Sequence, residues 1–265
     1  MSTVLYLFLA HLGIGIAFTL LLVSKEAGVK FFRFNAGLAA ALLAAALAFR
    51  PGAASVGGQV AHLGSLVAIG VALACLTIYW LIAGRIWGWM RRPLAALASV
   101  AGAAAVVMHG VAASGEVTGG GLTAASTLTS AALLGSTCTA MVLGHWYLVI
   151  PSMQVKHLQS IVGFHIVTLA ARILIVGIVL ALAVGVPLAT GQSLRRYVTS
   201  IDGVFFWQRV LFGLAAPVLL SYLTWETAKI RSTQSATGIL YVDFFTVVVG
   251  EVLACYVLVS TELAV

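Results

Sequence analysis

Eight stretches of this chain are long and apolar enough to cross a bilayer, at roughly 4–23, 32–50, 59–83, 93–113, 122–150, 158–186, 204–225 and 236–260. A spanning helix needs about 20 mostly apolar residues, because its backbone polar groups have no water to bond with. These runs predict an all-α polytopic bundle of eight transmembrane helices. Little chain is left between them, so residues 1–265 read as a single integral membrane domain, with possible halves at 1–113 and 114–265. Only 8% of residues are charged, against about a quarter in soluble domains, which excludes a soluble fold.

The net charge of +7 raises the possibility of nucleic acid until the basic residues are placed. With eight spans, loops alternate between faces. One face receives Lys25, Lys30, Arg33, Arg85, Arg91, Arg92, Lys156, Lys229 and Arg231; the other receives Arg50, Arg195 and Arg196, with Arg209 just inside a helix. The positive-inside rule makes the first face cytoplasmic and both termini external. The basic balance is therefore a topology signal for a multi-pass protein of a bacterial inner membrane, in contact with lipid and with no nucleic-acid partner. The uncharged start before Lys25 lacks the basic region of a cleaved signal peptide. Cys75, Cys138 and Cys255 lie in separate spans without a CxxC or CxxCH, so a haem here would be held without thioether links.

Five of the six histidines fall inside the apolar runs. Imidazole is costly in hydrocarbon, so such a residue ordinarily holds a partner or a ligand. Counting residues at about 1.5 Å each puts His11, His62 and His109 toward the outer face. The same count puts His145 and His165 toward the inner face, on a hairpin turning at Pro151. The layers are separated by on the order of 15 Å in a ~30 Å core. Each of the five has a glycine within two residues (Gly13, Gly64, Gly110, Gly144, Gly163), and the surface residue His157 has none. Glycine clears a side chain from a helix where a flat ligand must approach the backbone, and paired imidazoles hold a low-spin haem. The expected metal ligands are therefore His62 and His109 for an outer haem, with His11 able to replace either or to bond a propionate or quinone, and His145 and His165 for an inner one. A copper site would need three converging imidazoles. No carboxylate is expected near the inner pair, which argues against zinc hydrolase chemistry there.

Other ionisable groups lie in the spans. Arg172 shares a face with His165 seven residues before it, and Asp243 and Glu251 share a face of the last span. Arg172 and Glu251 have similar depth and are expected to pair, since neither stays charged alone in hydrocarbon. Asp243 and Glu251 are candidates for proton transfer, Arg172 for tuning a cofactor, and Arg209 for pairing with a propionate or an acidic partner. The polar stretch 225–238, with Tyr241 and Asp243, is a candidate quinone headgroup site, and 193–198 a candidate interfacial helix.

These features lead to an expected function: a di-haem b-type membrane cytochrome with two non-covalent haems, moving electrons between quinone and an external redox partner. The partner would be a periplasmic cytochrome c or a redox enzyme subunit of a hetero-oligomeric complex. The alternatives are a proton-coupled transporter, in which Arg172, Asp243 and Glu251 line a path, and a cofactor-free quinone-interacting or scaffold subunit of a respiratory complex.

Overall fold

The computed structural model describes residues 1–52, 59–85, 88–115, 118–150 and 154–265, with side chains from 62 onward in the third span. Pro151, the expected hairpin turn, lies outside the described residues. No strand occurs among them. The helices are α1 (Ser2–Thr19), α2 (Gly28–Ala48), α3 (Gln59–Ile82), α4 (Arg91–Ala112), α5 (Gly119–Val149), α6 (Lys156–Ala183), α7 (Leu194–Val198), α8 (Gly203–Val210), α9 (Ala216–Lys229) and α10 (Thr233–Thr261). Eight spans result, because α8 and α9 run on through a π-helical turn, Leu211–Ala215, as one crossing. The expected eight-helix bundle is the fold observed.

Helix α5 is the hub, with α1, α4, α6 and α10 all packed on it. Its composition explains this position. Between residues 123 and 144 it is mostly Ser, Thr, Ala and Gly, which let neighbouring backbones come close and bond across. Paired positions along α1 and α5 rise together: His11 meets Ser130, Gly15 meets Gly135 and Thr19 meets Thr139, whose hydroxyls are 2.6 Å apart. The two helices are therefore parallel. On α6 and α10 the pairing runs the other way, with Arg172 opposite Ser126 and His165 opposite Thr137, and with Glu251 opposite Ser130 and Gly144 against Thr237.

Three local features go beyond the hydropathy pattern. The π turn bonds the Ala216 amide to the Leu211 carbonyl, five residues back. This wider turn precedes Pro217, which has no N–H for the carbonyl four residues earlier. The interfacial helix expected at 193–198 is α7, capped by the Ser193 hydroxyl. After α10 the chain turns at Glu262, in a left-handed conformation with φ 57°, and residues 263–265 fold back into the bundle. Their carbonyls find donors there: Ser126 Oγ donates to Ala264 O at 2.9 Å and Arg172 Nη2 to Val265 O at 3.0 Å. Non-helical backbone at this depth is tolerated only when bonded in this way.

A Cβ at Gly15 would run into the Ala131 carbonyl, and one at Gly135 into the Gly15 backbone, whereas one at Gly70 would meet nothing. Overpacking of this kind costs about 1–3 kcal/mol or more. Gly15→Ala and Gly135→Ala should each lower the thermal midpoint of the detergent-purified protein by several degrees. Gly70→Ala should leave it unchanged.

Candidate functional site

At mid-bundle the structure collects four fully or nearly fully buried charged side chains: Arg172 on α6, Arg209 on α8, and Asp243 and Glu251 on α10. Glu251 is the centre. Arg172 grips it bidentately, Nε to Oε1 at 3.2 Å and Nη2 to Oε2 at 3.1 Å. The rest of the Arg172 fork is also used, since Nη1 donates to the carbonyl and hydroxyl of Ser126, and Nη2 to Val265 O. All five of its N–H donors are satisfied, a geometry that fixes the side chain. The expected Arg172–Glu251 pair is present.

Arg209 is the opposite case. Its Nη2 lies 2.9 Å from Glu251 Oε1, yet the contact is not aligned as a hydrogen bond, and none of its three nitrogens makes one among the described residues. The guanidinium occupies the space that side chains would take at Gly213 and Gly250, where α10 and the π turn touch backbone to backbone. The expectation that Arg209 meets a propionate or an acidic partner at the surface is therefore corrected. The helix begins at Gly203, which carries Arg209 into the bundle, and its partner is Glu251.

Glu251 also accepts from the Ser130 hydroxyl at 2.6 Å, and Ser130 in turn lies 3.1 Å from His11 Nδ1. His11, surplus to a two-ligand haem site, is thus tied to the ion cluster. A small cavity of about 10 Å³, bounded by His11, Ser130, Arg172 and Cys255, adjoins this contact and is the size of one water. His11 is near enough to His109, and His109 to His62, for each pair to interact electrostatically. The Tyr6 ring packs on His109 with centroids 5.5 Å apart. His62 Nδ1 is buried without a hydrogen bond among the described residues.

The inner histidines do not form a pair. His165 is fully buried, with Nδ1 3.0 Å from Thr137 Oγ1 and 3.3 Å from Ser136 Oγ, and Nε2 3.0 Å from Asp243 Oδ2. His145 is exposed and bonds Tyr241 OH through Nδ1 at 3.1 Å. It lies eight residues beyond Thr137 on α5, which is roughly 12 Å along the axis and about 80° around it. Ligation of one iron by His145 and His165 does not fit this arrangement. The expectation that no carboxylate approaches the inner pair is also corrected, because Asp243 faces His165. Rotation about the helix axis, which depth counting ignores, is the reason in both cases.

The glycines beside the histidines face neighbouring helices. A Cβ would meet Leu43 at Gly13, Met108 at Gly64, Thr127 and the Ala124 backbone at Gly110, Thr237 at Gly144 and Trp225 at Gly163. They serve helix packing, so the cradle expected for a flat ligand is not formed there. No three His, Cys, Asp or Glu side chains converge as a metal site among the described residues. The polar stretch 225–238 finishes α9 and starts α10, with Lys229 paired to Glu226 at 2.7 Å and Ser232 to Ser235 at 3.0 Å. A groove of about 560 Å³ beside it, between α6 and α9, is lined by Gly163, Ile166, Ser221, Tyr222 and Trp225 among others, but by neither Tyr241 nor Asp243.

No known protein family matches the chain, and no curated protein or solved structure shows significant similarity to it. The chemistry is therefore read from the site itself.

Sequence reasoning found Arg172, Glu251, Asp243 and the histidines, and it missed Ser130, Ser126 and the re-entrant carbonyls. The Ser/Thr density of α5 was the available signal. Removing one partner of a buried ion pair costs about 3–5 kcal/mol, so Glu251→Gln should destabilise the protein by that order. Arg209→Gln in the same chain should recover part of the loss, because it removes the charge left unbalanced. Denaturant unfolding of both single variants and the double variant measures the coupling. Strict additivity would show that the Arg209–Glu251 contact carries no energy.

Proposed function

We propose that this chain carries protons within the membrane as a proton-coupled transporter or respiratory subunit, with Glu251 as the central acceptor. The observation that carries the reading is the buried chain His11 Nδ1, Ser130 Oγ, Glu251 Oε2, with spacings of 3.1 and 2.6 Å. A hydroxyl that donates to a carboxylate while accepting from an imidazole can pass a proton on without moving. As Ser130 gives its proton to Glu251, it takes the Nδ1 proton of His11, which takes up a replacement proton at Nε2 from the outer side. His109 and His62 extend this limb toward the face expected to be external.

On the basic face, taken as cytoplasmic, two further pairs stand apart from each other: His145 with Tyr241 at the exposed rim and, deeper, Asp243 beside His165. Neither pair is joined to Glu251. Asp243 and Glu251 are eight residues apart on α10, roughly 12 Å, and the fully buried, apolar Leu133 and Leu134 of α5 and Val247 of α10 lie between those two levels. Such a barrier prevents free leakage and makes transfer depend on a rearrangement. Arg209 is suited to supply it. Arg172 is held by five hydrogen bonds, whereas Arg209 has none to lose when Glu251 becomes neutral and its attraction weakens.

The haem reading has one supporting observation, the unbonded Nδ1 of His62 beside His109. Those two residues would be the axial ligands of a haem supplying one-electron transfer. The filled notches at Gly64 and Gly110 and the separated His145 and His165 do not fit the two-haem arrangement. Quinone and an external redox partner belong to the respiratory form of the proposal.

Proton uptake by vesicles containing the purified chain, read with an internal pH dye under a valinomycin potential, tests the relay. Replacing Leu134 by Asn should raise uptake by letting water into the barrier. Glu251→Gln and Ser130→Ala should each lower that raised uptake by about tenfold or more, the scale of a lost proton-transfer group. Unchanged uptake in a folded Ser130→Ala variant would remove the relay. A reduced-minus-oxidised b-type haem band, abolished by His109→Ala, would favour the cytochrome reading instead.

A further inference from the structure

Away from the ion cluster, at the basic face, a cavity of about 230 Å³ opens between α1, α2, α3 and α4. Its polar wall holds three cations from separate places in the sequence: Lys25 in the turn before α2, and Arg91 and Arg92 at the start of α4. No acidic side chain is among the described residues that line it. Glu26, adjacent to Lys25, is turned away and bonded to His157 Nε2 at 2.7 Å. Arg91 donates from Nε to the Gly88 carbonyl at 3.1 Å, which orients the guanidinium and leaves its terminal nitrogens free among the described residues.

A second observation points to a ligand. Tyr79 lines the cavity and is only 3% exposed, yet its hydroxyl has no hydrogen bond among the described residues, and Arg91 is near enough to act on it electrostatically. A buried phenol ordinarily has a partner. Helices α2 and α4 both begin at this rim without a side-chain cap, which adds the positive ends of two helix dipoles. The remaining wall is apolar, from Leu20, Leu21, Val29 and Phe32, and Trp89 stands 75% exposed at the mouth.

A fork of cations over an apolar wall at bilayer-interface depth matches one kind of molecule. We propose that this cavity binds the phosphate headgroup of an anionic phospholipid, with Arg91, Arg92 and Lys25 on the phosphate, the Tyr79 hydroxyl donating to one of its oxygens, and the glycerol and upper acyl chain along Leu20, Leu21 and Phe32. Basic pockets between membrane helices take anionic headgroups for this reason. The assignment is independent of the proton-relay proposal, since no residue is shared.

The test uses the full chain in detergent, with tryptophan fluorescence quenched by brominated phosphatidylglycerol or brominated phosphatidylcholine, and Trp89→Phe to assign the signal. Saturable quenching of Trp89 by phosphatidylglycerol, and not by phosphatidylcholine at equal mole fraction, is expected. Apparent affinity should fall about fivefold for Lys25→Gln and about 30-fold for Arg91→Gln with Arg92→Gln, near the surface value of one kilocalorie per cation. Because the arginine pair also begins α4, the Lys25 variant provides an independent reading should that pair fail to fold. Millimolar inorganic phosphate should not displace the lipid. Equal quenching by phosphatidylcholine, unchanged affinity in folded variants, or displacement by free phosphate would each overturn the assignment.

Discussion

The carboxylate of Glu251 sets the terms for the rest of the bundle. An isolated charge at this depth is unfavourable by several kcal/mol even after relaxation, so the helices around α10 must bring compensation to one point. Arg172 arrives from α6 and Arg209 from α8, and Ser130 from α5 donates to the same carboxylate. Once Arg172 is committed, its remaining donors need acceptors, which Ser126 and the returning carbonyl of Val265 provide. Once Arg209 is committed, α10 and the π turn must touch closely enough to leave it room, and Gly213 and Gly250 make that contact. The small residues of the middle helices are thus a consequence of the charges as much as of packing.

The spans were legible because hydropathy reports burial in lipid directly, and the Arg172–Glu251 pair because each was a lone ion at matching depth. What was not legible is rotation about the helix axis. Residue counting assigns depth, and His145 and His165 do share an end of the hairpin. But Thr137, not His145, is the part of α5 that faces His165, and Asp243 on a third helix closes the contact. Arg209 was misplaced for the same reason, since the start of its span was placed to within one residue but the direction in which its side chain projects, toward Glu251, was not. The fold-back of residues 263–265 carries no hydropathy signature, because the same apolar residues suit a frayed helix end.

The contrast between the two arginines bears on how a buried cluster can change state. A guanidinium with every donor bonded is a fixture, and moving it would cost five hydrogen bonds at once. Arg209 faces Glu251 without a hydrogen bond and is otherwise held only by packing beside Gly213 and Gly250. Protonating Glu251 would leave Arg172 where its bonds to Ser126 and Val265 keep it and weaken the attraction on Arg209 alone. Under the proton-carrier proposal, that asymmetry would convert a change of one proton into displacement of one side chain. It would also localise the displacement to the π turn, whose i to i−5 bonding already departs from ideal helix geometry.

The interval between Asp243 and Glu251 then decides what kind of device this is. A continuous wire of hydroxyls and imidazoles would conduct whenever a potential existed, and the membrane would be short-circuited. Here the polar groups stop on either side of the level of Leu133, Leu134 and Val247, and α10 carries both carboxylates. A shift of the Arg209 segment against α10 would alter the Gly213–Gly250 contact. Under the proton-carrier proposal, charge at Glu251 and closure of the barrier would be linked through this contact, so that transfer would occur in discrete steps and not as continuous leakage.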